Sequence, residues 1–324
     1  QNIILESAKG GIGTTSMPLN LGHSGTITAR AADNIYLYQD GNNLDMKVDT
    51  IYSLKDVSLE AAGNIQSSDD NEEGLNIMSQ SLKLKAGKAI GNNAKAVGIS
   101  LDKEGKLTAE AQNGIDLSHS GDSLSIAKAE TAEGNMTITT SGDLSVDILK
   151  AKGNIDLMAT KGSMDLHNIT TTAGNINAQV GTDLSADTLT AVDIGLIAGQ
   201  NITANNLVAT GSVTMNADQD ITANQLTAST ATMTAGQDIT ATAINAGDTV
   251  TMKAAKDLTA TTVDAVNDID LTATNGSMTL QQVKATSGDI TAQAGIDISA
   301  DTLTAVDIGL IAGQNITANN LVAT

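Results

Sequence analysis

The sequence has no cysteine, no phenylalanine and no tryptophan, and its 324 residues include one proline (Pro18) and three tyrosines (Tyr36, Tyr38, Tyr52). Without cysteine there is no disulfide framework, which suits a secreted bacterial exoprotein and a reduced cytosol equally. Without large rings, which supply much of the buried area of compact cores, the interior must be built from Ile, Leu, Val, Met and Ala. Basic charge is also scarce: 17 Lys and Arg stand against 37 Asp and Glu, for a net charge of −20. Such a surface repels nucleic acid and anionic lipid, so neither is expected as a partner. No apolar run approaches the ~20 residues that cross a bilayer as a helix. The opening "QNIILESAKGG" also lacks the charged and apolar regions of a signal peptide.

What is present is repetition. Residues 185–210, "SADTLTAVDIGLIAGQNITANNLVAT", recur letter for letter at 299–324, 114 positions later. Weaker identity extends this block back over 152–210 and 266–324. Internal repeats govern the fold reading, and a shorter period lies inside the long one. One apolar row runs Leu207, Leu226, Ile244, Val263, Val283, Leu303, Leu321. A second runs Ile202, Ile221, Ile239, Leu258, then Ile298 and Ile316; a third runs Leu196, Met215, Met233, Met252, Leu271 and resumes at Leu310. The steps are 18 to 20 residues, so the copied block holds six repeats of 19 on average. A chain that stops within such a repeat reads as a segment of a longer array.

Each repeat contains three short strings in which apolar and polar residues alternate, as in Val213–Ala217, Ile221–Ala223 and Leu226–Ala228. Alternation of period two is the signature of a strand. The outward positions are rich in Thr, a β-branched residue suited to a pleated surface, and Gly, Asn and Asp punctuate the strings as turn formers do. No helical spacing is sustained. The pattern predicts an all-β parallel β-helix, or β-solenoid, with three strands and three turns per triangular rung, right-handed by the rule for parallel crossovers. Roughly 17 rungs at ~4.8 Å each would make a rod of order 80 Å. A β-propeller would need blades of about 40–45 residues, and nothing repeats at that length.

Residues 1–150 read as the same architecture written less regularly, and 151–324 as regular 19-residue rungs carrying the 114-residue duplication, the whole forming one continuous solenoid. "KGGIGTTSMPLNL" (9–21) and "GKAIGNNAKAVGISL" (87–101) look like rungs with a wider turn.

Rungs such as "AGQDITATAINAGDTVTMKAAKDLTA" (235–260) resemble the repeats of filamentous haemagglutinins, large adhesins of the two-partner secretion type. The "GGIGT…PLNL" element resembles one found in the leukotoxin-like group of filamentous adhesins. The resemblance implies an interior shaft on the bacterial outer surface or released outside the cell, exported through an outer-membrane secretion partner. It implies attachment to a receptor or glycan on host or neighbouring cells. No secretion domain or toxin tip can be identified in the chain.

Catalysis is not expected. Enzymes on this fold need acid, base and sugar-stacking groups in one groove, whereas His23, His119 and His167 are scattered and successive rungs look alike. Asp69, Asp70, Glu72 and Glu73 form the densest acidic stretch and are the weak candidates for Ca²⁺, which wants several converging oxygens; a solvated turn is the plainer reading. Asn201, Asp220, Asp238, Asp257, Asp297 and Asn315 should stack at one corner, capping turn amides or sharing a cation. Tyr36 and Tyr38 alternate with Ile35 and Leu37 and should face outward; with Tyr52 they are the candidate contacts to a partner or glycan. Asn135, Asn168, Asn201, Asn275 and Asn315 lie in Asn-x-Ser/Thr sequons, which arise cheaply in a chain so rich in these residues.

The function expected is therefore the structural shaft of a surface-displayed adhesin. The alternatives are a matrix or biofilm filament whose shafts associate with one another, and the stalk of a contact-dependent inhibition toxin. A polysaccharide lyase or hydrolase is the distant one.

Overall fold

In the structure, a computed structural model, residues 2–22, 25–41, 44–68, 74–92 and 94–324 are described. The fold is an all-β parallel solenoid of about 16 turns with about 20 residues per turn. None of the described residues is helical. The chain divides into two units, one of Gln1–Ser163 with Thr170–Gly174 and one of Met164–Ile169 with Asn175–Thr324.

The second unit follows the apolar rows. Leu207, Leu226, Ile244, Val263, Val283, Leu303 and Leu321 pair in that order from rung to rung. The second row is equally continuous, with Met278 filling the step between Leu258 and Ile298. In the third, Ala292 stands between Leu271 and Leu310. Leu226, Ile244 and Val263 are at most 2% exposed, while Thr222, Thr240 and Thr259 lie on the outward face. Stacking like on like buries the branched side chains in continuous ladders, and this burial is the main favourable contribution to stability.

The rung differs from expectation in one respect. It has two strands rather than three. An eight-residue strand such as Ile221–Ala228 carries two of the inward strings, and a shorter one such as Thr230–Ala235 or Val250–Ala254 carries the third. The long strand bends where two successive residues face outward, and the ladder there passes from Ala223↔Ala241 to Gln225↔Ala243, omitting one residue. Because a single residue leaves the ladder, the backbone bonds continue around the corner and no turn is required. Side chains bridge the omitted position: the Asn205 amide donates to Asp187 at 2.8 Å, and the Asn224 amide to Asn205 at 2.7 Å.

The first unit keeps the ladder but interrupts it with excursions. Ile12 bridges Ile35, and Leu19 and Asn20 pair with Leu37 and Tyr38, so residues 13–18 leave the wall between them. Ile65–Ser67 and Ile77–Ser79 both lie along the single strand Met46–Ser53, and Ala89–Ile90 and Val97–Leu101 are split in the same way. The first and last of these are the longer rungs read from 9–21 and 87–101, with the extra residues placed within a wall; the split between Ile65–Ser67 and Ile77–Ser79 has no counterpart in either stretch. The interior also changes character. All ten buried polar side chains among the described residues belong to this unit, including Gln39, Asn76, His119 and Thr140. Several take corner positions that neighbouring rungs give to Ala, as Gln39 does over Ala61 and Ser53 over Ala31.

Candidate functional site

The most varied surface is one outer wall of the first unit. Strand Ile35–Gln39 alternates buried and half-buried residues, so Tyr36 and Tyr38 both project from this wall. Tyr52 lies on Met46–Ser53, beside Arg30 and Met78, on a strand that belongs to the other wall. The structure thus brings together two of the three tyrosines and leaves the third apart.

Parallel register aligns further outward residues with the two rings. Tyr36 heads a row that continues Ser58, Lys83, Thr108, Lys128. Tyr38, paired on its other side with Asn20, continues into the row Glu60, Lys85, Glu110, Glu130, Lys150. Ion pairs lace the second row, Lys85 to Glu60 at 3.1 Å and Lys150 to Glu130 at 3.9 Å, and Lys128 of the first row reaches across to Glu130 at 2.7 Å. The hydrogen bond and charge of Glu60 hold the Lys85 ammonium above its ordinary range. Lys83 makes no ion pair among the described residues.

Residues 13–18 form a rim above Tyr36. Gly13 turns the chain outward at φ 68°, where a Cβ would lie 2.5 Å from the Tyr36 carbonyl oxygen, so any larger residue is excluded. Thr14 and Met17 then close the excursion through reciprocal backbone hydrogen bonds of 2.9 and 3.2 Å. Between rim and wall lies a groove of about 410 Å³ lined by Thr15, Pro18, Tyr36, Tyr38, Ser58 and Lys83, among others. A second groove of about 550 Å³ follows the Glu–Lys row and shares Tyr38 and Glu60 with the first.

The remaining candidates do not converge. Asp69, Asp70, Glu72, Glu73 and His23 lie outside the described residues, and among the described residues no cluster of His, Cys, Asp or Glu has the arrangement to hold a metal ion. His119 points into the interior, with Nδ1 3.1 Å from the Thr140 hydroxyl and Nε2 unpartnered, and burial holds its pKa below the usual histidine value. His167 is on the surface, its Nδ1 2.7 Å from Asp187, whose carboxyl is lowered first by that bond and then by Asn205. Asp116 is half-buried beside Gly91, Asn92 and Ala94 in a groove of about 660 Å³, and burial raises its carboxyl.

The Asx corner row is structural, and its partners differ from expectation. The Oδ1 atoms of Asn201, Asp220, Asp238, Asp257 and Asp297 each accept the backbone N–H one rung on rather than an amide of their own turn. Asp220 N–H donates to Asn201, Asp238 N–H to Asp220, Asp257 N–H to Asp238 and Asn315 N–H to Asp297, at 2.9–3.1 Å. The residue that follows returns a bond, as from Ile221 N–H to the Asp238 carbonyl. Each corner of this row is thereby stitched by a pair of hydrogen bonds, and the ladder gains one bond beyond the strand end.

Lys83 and its row escaped the sequence reading. The signal is present in "SLKLKAG", whose lysines alternate with leucines as Tyr36 and Tyr38 alternate with Ile and Leu. The excursions stretch the rung steps here to 22 and 25 residues, which hides the alignment. Comparison with known proteins gives no matching family model, curated protein or solved structure.

Proposed function

We propose that this chain is a structural shaft of a secreted, surface-displayed adhesin, mediating attachment to host or neighbouring cells through its lateral surface and whatever it carries. The observation that supports this most is the use of the polar corners. The Asp and Asn side chains that could have formed a reactive cluster are engaged rung after rung in closing one turn onto the next. Such a wall contacts only its neighbours, so it lengthens by duplication without new chemistry, in keeping with the copied 26-residue passage. The resemblance of residues 235–260 to filamentous haemagglutinin repeats points the same way and suggests export through an outer-membrane partner.

Beads coated with the chain should attach to cells or cell-wall material, and the chain should leave pectate, alginate and hyaluronan intact. Turnover of any of these that a single substitution abolishes, in a chain whose beads attach to nothing, would reassign it to the enzymes.

A further inference from the structure

We propose that the groove over Tyr36, Ser58 and Lys83 is a binding subsite for an acidic sugar residue, a hexuronate unit of a polysaccharide. The inference rests on the adhesive reading and deepens it by assigning a ligand class and a place on the wall. The row presents an aromatic face, a small hydroxyl and an ammonium on three successive rungs. At ~4.8 Å per rung, the strand positions of Tyr36 and Lys83 are about 10 Å apart, a span across which the two side chains can close on one pyranose ring and its carboxylate. The sugar ring lies against Tyr36, whose flat apolar body and polar tip suit a ring with one apolar face. Ser58 meets its hydroxyls and Lys83 its carboxylate.

Charge selects this occupant. Lys85 is engaged by Glu60 at 3.1 Å and Lys106 by Asp147 at 3.7 Å, which leaves the Lys83 ammonium available to an incoming carboxylate. Asp56 and Glu60 also line the groove. A polyanion as dense as nucleic acid, with one charge per about 1.7 Å of duplex, is therefore repelled. A uronate polymer carries a single charge per ring or per two rings and fits the balance. The rim of Thr15 and Pro18 closes one side, which favours a ring lodged in a pocket over an extended acidic peptide lying on an open wall.

Calorimetric titration of the purified chain with oligogalacturonate, a neutral glucan oligomer of equal length and a poly-glutamate peptide tests the assignment. Binding of the uronate oligomer should weaken about tenfold or more in Lys83→Gln and in Tyr36→Ser, the scale of losing one charge-assisted contact. Tyr52→Ser, on the other wall, should bind as the parent does. Lys83 and Tyr36 point outward, so unchanged thermal unfolding of the variants verifies that folding is intact. The inference is overturned by absence of uronate binding, by equal binding of poly-glutamate or neutral glucan, or by variants that bind like the parent. Bead attachment measured on the same Lys83→Gln and Tyr36→Ser preparations separates the two proposals. Attachment by the parent without uronate binding removes the subsite and keeps the shaft; loss of attachment by the parent itself removes the shaft.

Discussion

At the scale of single residues, the corner Asp and Asn side chains decide how rungs are joined. A carboxylate stacked ~4.8 Å from the next is repelled by about 1 kcal/mol in water, yet each Oδ1 holds an amide of the following rung. The acceptor, rather than the charge, is what the corner uses, and Asn201 and Asn315 occupy the same position. Asp238→Asn should therefore leave the Asp257 amide protected from hydrogen exchange, with unchanged or slightly higher stability. Asp238→Ala should expose that amide at a cost of about 1 kcal/mol; an Asp257 amide equally protected in both variants would refute the stitched corner. His119 sets a second residue-scale expectation. Burial lowers its folded-state pKa, so as pH falls below about 6.5 the unfolded chain takes up a proton that the folded chain refuses. Stability from this group is complete above that pH and declines below it. Thermal unfolding should shift downward between about pH 7.5 and 5.5, and His119→Leu should flatten the shift.

At the scale of elements, the strand is specified by what its inward side stacks on. Ile244 sits between Leu226 and Val263, so Ile244→Asp places an unpaired charge in a dry ladder and should cost about 3–5 kcal/mol. Thr240→Asp, four residues away on the outward face, should change stability by no more than about 0.5 kcal/mol; urea unfolding of the pair measures the contrast. Much of this was legible in the sequence, because a period of 18–20 residues names the stacked positions directly. Two things were not. The bend that merges two strings into one strand depends on a single residue leaving the ladder; Asp187, Asn205 and Asn224 recur at steps of 18 and 19, but an outward polar residue in sequence does not show whether it is paired or skipped. The wall of Tyr36 and Lys83 depends on register across rungs whose steps lengthen to 22 and 25 residues. The corner row was read correctly as a stack, but the next-rung destination of its hydrogen bonds is a fact of three dimensions.

At the scale of the whole molecule, the two units differ in variety. The second carries three lysines, Lys253, Lys256 and Lys284, and no arginine, and its described interior is entirely apolar. The first holds the remaining basic residues, the buried polar side chains and the groove below Pro18. On the proposed reading the second unit is replaceable length and the first is where recognition resides. The copied passage permits a direct measurement. Removing residues 192–305 joins Ala191 to Val306 and restores the same 26-residue sequence across the junction, so no rung is left broken. The shortened chain should keep a β-rich spectrum and cooperative unfolding, and beads coated with it should attach to cells as the parent's do. A shortened chain that folds but no longer attaches would contradict the account, because the deleted rungs would then be a site rather than a shaft.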